Sequence, residues 1–347
     1  MPILDKNNKE LVKKYEEFLI KNKAVAMQDL KWAKVKDTWK NEVVYLEENG
    51  KIIASMSILL TKVPVFKAYL MYASRGPVCD YEDINIINKL VEEAKIVQKK
   101  YNAFVLKMDP EIINNENIVK KFKDNGFKIQ TKYEKVIQPR HNMVLNIKGK
   151  TCEEIMKGFA EKTRYNVRVA IKKGINVRYS RDIKDLKTFY EIYKITTIRD
   201  KIGCRPYEYF ERMLNSFNDN QFRIYIAEYE GQALSAALAL NYGCKMFYIY
   251  GASSNEKRNL MPTYLMQFQM IKWAVEEKCD TYDFGGVFEF TNENGLYKFK
   301  SGFCKQEGVT EYIGEIDKVY NPFIYFLYTD VMPIMKNFKK KLRKFKK

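Results

Sequence analysis

The chain has 347 residues, 46% of them hydrophobic and 14% aromatic, so it is too long for one ordinary core and too apolar for a disordered protein. We therefore expect two domains. The 61 Lys and Arg residues exceed the 43 Asp and Glu residues, and the formal net charge is +18. Such a surface attracts polyanions, so nucleic acid, anionic lipid and phosphorylated metabolites are candidate partners, beside the plainer alternative of a basic protein that binds none of them.

Residues needed for several common chemistries are missing. The six cysteines form no CxxC pair and the single histidine, His141, lies in a Pro-Arg-His-Asn loop, so neither a metal site nor a histidine-assisted nucleophile is predicted. No GxxxxGK[ST] or GxGxxG motif occurs, which argues against nucleotide hydrolysis and dinucleotide redox chemistry. With no apolar signal region and no uncharged apolar stretch of about 18 residues, a cytoplasmic protein with reduced thiols is expected.

Strand and turn signals occur twice in the same order. Gly50 and Gly231 each separate two half-buried strand patterns, "EVVYLEENGKIIASMSILL" and "RIYIAEYEGQALSAALAL". A third strand, a helical pattern and a buried strand follow each hairpin, with the helices at residues 82–101 and 262–278. Each series closes with a similar string, "FKDNGF" in the first half and "FKSGF" in the second. The sequence therefore predicts two copies of one α/β unit with mixed sheets.

The segment between the copies sets the predicted domain boundary. Pro139 interrupts it, and we place the division near residue 145, so that the domains span residues 1–145 and 146–316. The last residues, 317–347, lie outside the repeat and are predicted to form a helix that packs on the first domain.

This order of hairpin, strand, helix and strand resembles the GNAT acyltransferase fold. That family wraps the coenzyme A pyrophosphate with a Q/R-x-x-G-x-G/A turn, whereas the corresponding places here read "SRGPVCDYED" and "GASSNEKRNL". Two tandem GNAT-like domains are therefore expected, without an acetyl-CoA donor.

Several stretches resemble the Fem-type non-ribosomal peptidyltransferases, the FemABX family. They are "QDLKWAKVKDTW", "RGPVCD", "EKTRYNVRVAIKKG", "YDFGGV", "LYKFKSGF" and "EYIGEIDKVYNP", spread in the family's order over roughly residues 25–322. The resemblance implies an enzyme that moves an amino acid from aminoacyl-tRNA, without a cofactor, onto the side-chain amine of the peptidoglycan stem peptide. The acceptor would be UDP-MurNAc-pentapeptide or its lipid-linked form. Residues 175–300 show no heptad hairpin, so the chain resembles the members that lack a coiled-coil arm.

The resemblance also suggests catalytic residues. Aminoacyl transfer from an activated ester needs positioning and oxyanion stabilisation, which cations and hydrogen-bond donors supply. Lys300 matches the family lysine that faces the reacting ester, with Phe299 beside the substrate. Lys123 has a similar context in the first copy, and a solvated lysine is the alternative for either position. Asp109, at the end of a predicted strand, is a weaker candidate for accepting the amine's proton.

Four further residues match family positions that hold the acceptor's diphosphate and sugar: Lys36, Arg205, Tyr209 and Tyr250. Arg205 and Tyr209 are four apart, which puts them on one face if their segment is helical. An arginine fork suits phosphate oxygens. For the tyrosines, core packing is the alternative.

Two basic segments are candidates for polyanion contacts. Thr151 and Glu154 form a capping-box pattern and Gly174 ends the pattern, which predicts one helix over residues 151–173. This helix carries a basic stripe formed by Arg164, Arg168 and Lys172. The stripe could contact tRNA phosphates, or it could be an ordinary solvated helix face. The tail at residues 336–347 has the pattern of a basic amphipathic helix that could lie on the anionic inner membrane leaflet, bind RNA or fray.

Two other functions stay open at this point. One is a CoA-dependent N-acyltransferase, which the missing pyrophosphate turn opposes. The other is a non-catalytic basic module that binds tRNA or membrane.

Overall fold

The computed structural model describes residues 3–334, whose strands form two mixed sheets. The strands are β1 (Lys40–Glu48), β2 (Lys51–Val63), β3 (Ala68–Ala73), β4 (Ala103–Met108), β5 (Lys128–Gln130), β6 (His141–Asn146), β7 (Asn176–Ser180), β8 (Phe222–Tyr229), β9 (Gln232–Tyr242), β10 (Lys245–Ser253), β11 (Thr281–Gly286), β12 (Thr310–Glu311) and β13 (Glu315–Val319). The α-helices are α1 (Lys9–Lys21), α2 (Leu30–Val35), α3 (Ile84–Tyr101), α4 (Glu116–Asp124), α5 (Cys152–Gly158), α6 (Glu161–Lys172), α7 (Ile183–Asp200), α8 (Tyr207–Ser216), α9 (Pro262–Glu276), α10 (Gly295–Phe303) and α11 (Pro322–Phe326).

The sheets have the strand orders β1-β2-β3-β4-β13-β5 and β12-β6-β11-β10-β9-β8-β7. The predicted class, two α/β units with mixed sheets, is confirmed. No coiled-coil hairpin interrupts the second unit between α7 and α10. Within the described part of the chain, none of the helices combines the length and apolar character needed to cross a membrane.

The hairpins that begin the two copies turn in the same way. Gly50 joins β1 to β2 with φ 73° and Gly231 joins β8 to β9 with φ 78°, and the residue before each glycine also has a positive φ. Two successive positive φ values are the mark of the type I′ turn, whose twist matches that of the flanking strands. A bulge lies at the same offset from each glycine, at Glu47 in the first hairpin and at Glu228 in the second. The turns and bulges thus support the predicted duplication.

The two domains exchange strands, and the predicted division at residue 145 is wrong. β6, which ends at Asn146, pairs with β11 and β12 and therefore belongs to the second sheet. β13 comes after the whole second domain, yet it pairs with β4 and β5 in the first sheet. Each of these two strands fills the same interior position of its sheet, so the chain crosses between the domains twice and no single boundary separates them.

The C-terminal segment is helical only in part. Residues 317–319 belong to β13 rather than to the predicted helix, because all three pair with β4 and Asp317 also pairs with β5. α11 and the π-helical turn that follows at Leu327–Val331 cover the first sheet, where Tyr325 is buried beside Phe104 and Val105. The tail at residues 336–347 lies outside the described residues.

A buried ion cluster fixes β13 in its place. Lys107 of β4 donates to both Asp317 oxygens, at 2.9 and 3.1 Å, and to Glu315. Tyr325 donates to Asp317 at 2.7 Å, and the backbone N–H of Ile137 donates to Glu315 at 3.1 Å. The Lys107, Glu315 and Asp317 side chains are at most 2% exposed. Removing one member would leave a buried charge without its partner, which is strongly destabilising.

The helix predicted over residues 151–173 is broken into α5 and α6. The capping box at Thr151 and Glu154 is present, and Gly174 ends α6 with φ 79°. Between the helices Phe159 is extended and fully buried, edge-on to Phe303 of α10 at a centroid distance of 5.1 Å. The ring at the break is therefore part of the core of the second domain. The N–H of the next residue then donates to the carbonyl oxygen of residue 302, at 2.8 Å, so the break also anchors α10.

The parallel strands β10 and β11 separate part-way along their length. Their pairing runs from Lys245 opposite Thr281 to Phe247 opposite Asp283, although β10 continues to Ser253. β10 has a bulge just beyond that point, and after its own register shift the end of β11 stays paired with β6. In the first sheet, β3 and β4 stay paired to their last residues. The second domain therefore has an opening between two strand ends that the first domain lacks.

We expect Gly243→Ala to destabilise the contact between the domains. Gly243 turns β9 into β10 with φ 59°, and a Cβ there would lie 1.9 Å from the carbonyl oxygen of Ala24 in the first domain. A clash with backbone that cannot move aside costs about 2 kcal/mol, added to the strain of a positive φ. Urea unfolding measures the loss.

Gly149→Ala is the matched control. Gly149 has φ 69° but nothing within 4 Å of a Cβ, so it carries the backbone strain without the clash and should cost about 1 kcal/mol. Equal losses for the two variants would contradict the close approach at Ala24.

Candidate active site

Lys300 lies next to the opening between β10 and β11. α10 begins where the Asn294 side chain accepts two backbone N–H groups, and Lys300 is in its last turn. The lysine is only 5% exposed, and its Nζ donates to the carbonyl oxygen of Gly286, at the end of β11, at 2.9 Å. Burial lowers the pKa of Lys300 to about 8, while Asp283 acts in the opposite direction. A buried ammonium held this way can stabilise a negative charge that develops beside it.

Phe299 is the neighbour of Lys300 on α10 and is half-buried. Its ring packs edge-on against Tyr264 of α9 at 5.0 Å and against Phe303 at 5.3 Å, measured between centroids. The backbone of α10 is held close to α6, since a Cβ on Gly302 would lie 2.2 Å from the hydroxyl of Thr163. Phe299 thus belongs to a packed aromatic cluster, with Tyr264 and Phe303, next to Lys300.

The two copies differ at the corresponding lysine. Lys123 on α4 is exposed, whereas Lys300 is buried. The extra residue in the first copy explains part of this difference: α4 ends at Asp124 and the chain turns at Gly126 before it reaches Phe127, while Phe303 is still helical. Of the two lysines, Lys300 has the environment of a catalytic cation.

The four predicted acceptor-binding residues come together from both domains. The Lys36 ammonium, at the end of α2, lies 5.1 Å from the centroid of the Tyr209 ring, and the Arg205 guanidinium lies 5.4 Å from the same ring. The Tyr250 hydroxyl, on β10, donates to the Tyr209 hydroxyl at 3.5 Å. Burial and the charge of Arg205 lower the pKa of Lys36 to about 8. Two cations beside one aromatic ring have the chemistry to bind a phosphate-containing ligand.

The contact between Arg205 and Tyr209 does not arise from a shared helical face. α8 begins at Tyr207 with Pro206 as its N-cap, so Arg205 lies before the helix. The loop that carries it is held against α7, where the Tyr193 hydroxyl accepts from the Arg205 N–H at 3.3 Å and the Tyr190 hydroxyl donates to the Arg205 carbonyl at 3.3 Å. The predicted partners meet, but by a different geometry.

Asp109 lies in the first domain, just after β4, and is engaged on both oxygens. Tyr72 donates to one at 2.7 Å and the backbone N–H of Arg75 to the other at 2.5 Å. Burial raises the pKa of Asp109 to about 6, although Arg75 acts to lower it. With 3% exposure and a donor on each oxygen, the side chain is buried and holds the backbone of Arg75. Its part in accepting the amine's proton stays a prediction.

Only part of the predicted basic stripe on α6 is exposed to solvent. Arg164 donates to the carbonyl oxygens of Lys157 and Phe159, so it closes the break between α5 and α6. Arg168 and Lys172 are exposed on α6. Two of the three predicted residues therefore present charge to solvent.

Other potential sites lie away from this region. Across residues 3–334, no group of three His, Cys, Asp or Glu side chains could hold a metal ion. His141 contacts Tyr133 and Glu311 at the edge of the second sheet. Two surface cavities, of about 410 and 460 Å³, are lined by first-domain residues and the segment after β13, including Lys123 and Tyr325 in one and Cys79 in the other. None of the predicted catalytic or acceptor-binding residues lines either cavity.

The charged residues at the interface that were not predicted include Arg75, Glu111 and Lys245. Glu111 pairs with Lys245, whose Nζ also lies 3.7 Å from Asp283, and Arg75 lies 3.8 Å from Glu111. Arg75 stands in the "RGPVCD" stretch and Glu111 two residues after Asp109, so both were close to recognised signals. Lys245 lies in no motif, and only the fold places it beside Asp283.

Comparisons with known proteins agree with this arrangement. The model of the FemAB family matches residues 11–233 and 223–332. The UDP-N-acetylmuramoylpentapeptide-lysine N(6)-alanyltransferase of Weissella viridescens is 37% identical over 334 residues, which cover 94% of this chain and 98% of that protein. The lipid II:glycine glycyltransferase of Staphylococcus epidermidis is 31% identical over 381 residues, with coverages of 88% and 91%.

Solved structures extend the comparison to the fold. The crystal structure of FemX has a TM-score of 0.84 at 27% identity and covers 94% of this chain and 99% of its own. A tandem GNAT protein from the clavulanic acid biosynthesis pathway has a TM-score of 0.55 at 8% identity, with coverages of 92% and 98%, which is a likeness of fold alone. The predicted GNAT-like architecture is confirmed.

We predict that the affinity of the chain for inorganic pyrophosphate falls as the pH rises through about 8, because Lys36 then loses its proton. Calorimetric titrations on either side of that pH measure the change. Lys36→Met should weaken binding at the lower pH and remove most of the pH dependence. Lys34→Met, which changes an exposed lysine on the same helix, is the control; an equal effect of both variants would contradict the site.

Proposed function

The chain belongs to the FemAB family, and we propose that it transfers an amino acid from aminoacyl-tRNA to the side-chain amine of the peptidoglycan stem peptide. It is an aminoacyltransferase of peptidoglycan bridge synthesis, as its similarity to the alanyl- and glycyltransferases implies over nearly its whole length. The observation that carries the proposal is the buried Lys300 ammonium beside the opening between β10 and β11. A cationic and aromatic cluster, to which both domains contribute, surrounds Tyr209 of the same domain as Lys300.

The chemistry requires little from the protein beyond positioning and charge. The acceptor amine attacks the carbonyl carbon of the aminoacyl ester, the C–N bond forms, and the carbonyl oxygen becomes an oxyanion. Lys300 stabilises that oxyanion, and Phe299 packs beside the substrate. The C–O bond to the ribose then breaks, and the proton released by the amine reaches the ribose oxygen through the substrate or water. Asp109 is bonded to Tyr72 and to the backbone of Arg75, and it has no part in the proposed proton transfer.

The acceptor binds through its phosphates and sugar. Arg205 and Lys36 contact the diphosphate, and the hydroxyls of Tyr209 and Tyr250 contact the sugar. Because Lys36 comes from the first domain and the other three from the second, bound acceptor would tie the domains together. UDP-MurNAc-pentapeptide and the lipid-linked precursor both carry a diphosphate, so this cluster serves either acceptor.

The donor is aminoacyl-tRNA, and no further cofactor takes part in the proposed reaction. Arg168 and Lys172 are exposed on α6, whose partner α10 carries Lys300, so they are placed to contact phosphates of the acceptor stem. The protein would work in the cytoplasm.

A peripheral contact with anionic lipid is also part of the proposal. Phe323 and Phe326 are 70% and 54% exposed on α11, ahead of the basic tail at residues 336–347. Apolar side chains followed by a run of cations have the composition of a membrane-surface segment.

We expect Lys300→Ala to lower kcat by about 100- to 1,000-fold, the effect of removing one oxyanion donor. The assay follows by mass spectrometry the addition of one amino acid to UDP-MurNAc-pentapeptide and to its lipid-linked form, from a mixture of charged tRNAs. Lys123→Ala, at the corresponding exposed position of the first copy, is the matched control and should keep full activity. No addition to either acceptor by the wild type, or turnover with acetyl-CoA instead, would overturn the proposed function.

We expect the double variant Arg168→Gln, Lys172→Gln to raise KM for aminoacyl-tRNA several-fold and leave kcat nearly unchanged, since phosphate contacts contribute to binding alone. The slope of log affinity against log salt should become shallower by about 1 to 2. Substituting Lys184 and Lys187, exposed on α7, provides the control. An unchanged salt slope in the α6 variant would mean that the RNA binds elsewhere.

A further inference from the structure

Six charged side chains of alternating sign run across the domain interface. They are, in order, Asp109, Arg75, Glu111, Lys245, Asp283 and Lys300. The first three belong to the first domain and the last three to the second. The series begins at the end of β4 and finishes at the lysine that faces the opening in the second sheet.

The middle of the series is the contact between Glu111 and Lys245. Lys245 donates to Glu111, and their side chains are 13% and 16% exposed, respectively. Glu111 also lies 3.8 Å from the Arg75 Nε. Burial raises the pKa of Glu111, but the charges of Lys245 and Arg75 lower it further, so that it lies below its ordinary value. The interface pair is therefore charged on both sides.

Asp283 joins this pair to Lys300. Its carboxylate accepts the N–H of Gly285 at 2.7 Å and lies within 3.4 Å of the Asn142 amide, so its position on β11 is fixed. Lys245 lies 3.7 Å from one Asp283 oxygen. Lys300 lies close by without a direct ion pair to Asp283: its Nζ bonds to the carbonyl of Gly286 and would lie 3.7 Å from a Cβ on Gly285, the residue whose N–H Asp283 accepts. The charge of Asp283 favours the Lys300 ammonium, so one carboxylate acts on two lysines.

We infer that Lys245 and Glu111 are positioning residues for Lys300: Lys245 competes with Lys300 for the charge of Asp283, and Glu111 limits that competition by pairing with Lys245. The inference rests on the proposed role of Lys300 in the transfer reaction. It assigns a function to an interface pair that touches neither the proposed donor nor the proposed acceptor site.

The signs follow from Coulomb's law. Removing the negative charge of Asp283 deprives the Lys300 ammonium of stabilisation, so its pKa falls. Removing Lys245 leaves the full charge of Asp283 to Lys300, so the pKa rises. Removing Glu111 turns Lys245 more completely towards Asp283, so the pKa of Lys300 falls. Charges at these separations shift the pKa of a buried group by about 0.5 to 1 unit.

Other titratable groups around the pair do not change these signs. The Cys304 thiol follows Lys300 at the end of α10, and burial raises its pKa, which keeps it neutral. Tyr312 faces both Glu111 and Asp283, and burial raises its pKa far above the working range. Tyr282, beside Asp283 on β11, is likewise kept neutral by a raised pKa that burial causes. Charge changes in this region therefore come from the six members of the series.

The test compares four variants: Asp283→Asn, Lys245→Met, Glu111→Gln and the double variant Lys245→Met, Glu111→Gln. kcat is measured against pH at saturating acceptor, where Lys36 is paired with the diphosphate. Because the Lys300 cation is the active form, wild-type activity is lost as the pH rises through its pKa. We expect this alkaline limb to move down in Asp283→Asn and Glu111→Gln and up in Lys245→Met. In the double variant it should stay close to that of Lys245→Met, because Glu111 acts through Lys245. A purely structural role would lower activity without this alternation of sign.

A second measurement does not depend on turnover. The Nζ chemical shift of Lys300, in protein labelled with ¹⁵N-lysine and assigned with Lys300→Met, reports its titration directly. If the wild type transfers nothing but the Nζ titrations follow the predicted signs, the proposed function fails while the electrostatic coupling stands. If the wild type is active but the three single variants shift the titration in one direction or not at all, the coupling is wrong.

Lys23→Met is the matched control. Lys23 also forms an ion pair across the interface, with Asp280 at 2.5 Å, but at a more exposed position outside the series. Its removal should leave both the alkaline limb and the Lys300 titration unchanged. A shift equal to that of Lys245→Met would show that any loss of interface charge has this effect, and would overturn the inference.

Discussion

The buried ammonium of Lys107, held between Glu315 and Asp317, is the interaction on which the arrangement of both domains depends. It joins residues more than 200 positions apart, since 208 separate Lys107 from Glu315. With it, β13 lies between β4 and β5, and the first sheet is closed by a strand that the chain supplies last. β6 makes the reciprocal move into the second sheet. The relation between the domains, and hence every contact across their interface, follows from these two strands.

The sequence was sufficient for the features that local patterns encode. The glycines of the two type I′ turns, the alternation of the hairpins and the capping box at Thr151 each specify their own neighbourhood, and the repeat of these signals revealed the duplication. The exchange of β6 and β13 could not be read in this way. A short apolar strand has the same pattern whichever sheet it joins, and its partner is chosen by long-range contacts such as that of Lys107.

The same distinction holds at the candidate site. Recognised motifs pointed to Lys300, Lys36 and Arg205, and the structure brings Lys36 and Arg205 to one ring although they come from different domains. Lys300 differs from Lys123 because Lys300 is buried. One inserted residue at the end of the helix in the first copy contributes to this difference, and the composition of the two segments does not reveal it. The partnership of Lys245 with Glu111 joins two residues 134 positions apart, outside any shared pattern. Both cations with lowered pKa values, Lys36 and Lys300, owe them to desolvation, so the reactivity of the site is a property of packing more than of residue type.

The exchange of strands also imposes an order on the making of the protein. During synthesis the ribosome releases β1 to β5 first, but the place between β4 and β5 stays empty until residues 315–319 emerge, after the second domain has been synthesised. Until then Lys107 lacks both carboxylates, and the edges of β4 and β5 are open to other strands. The N-terminal half is therefore the last to be completed, and a chain that stopped short of residue 315 would lack a strand from its beginning rather than from its end.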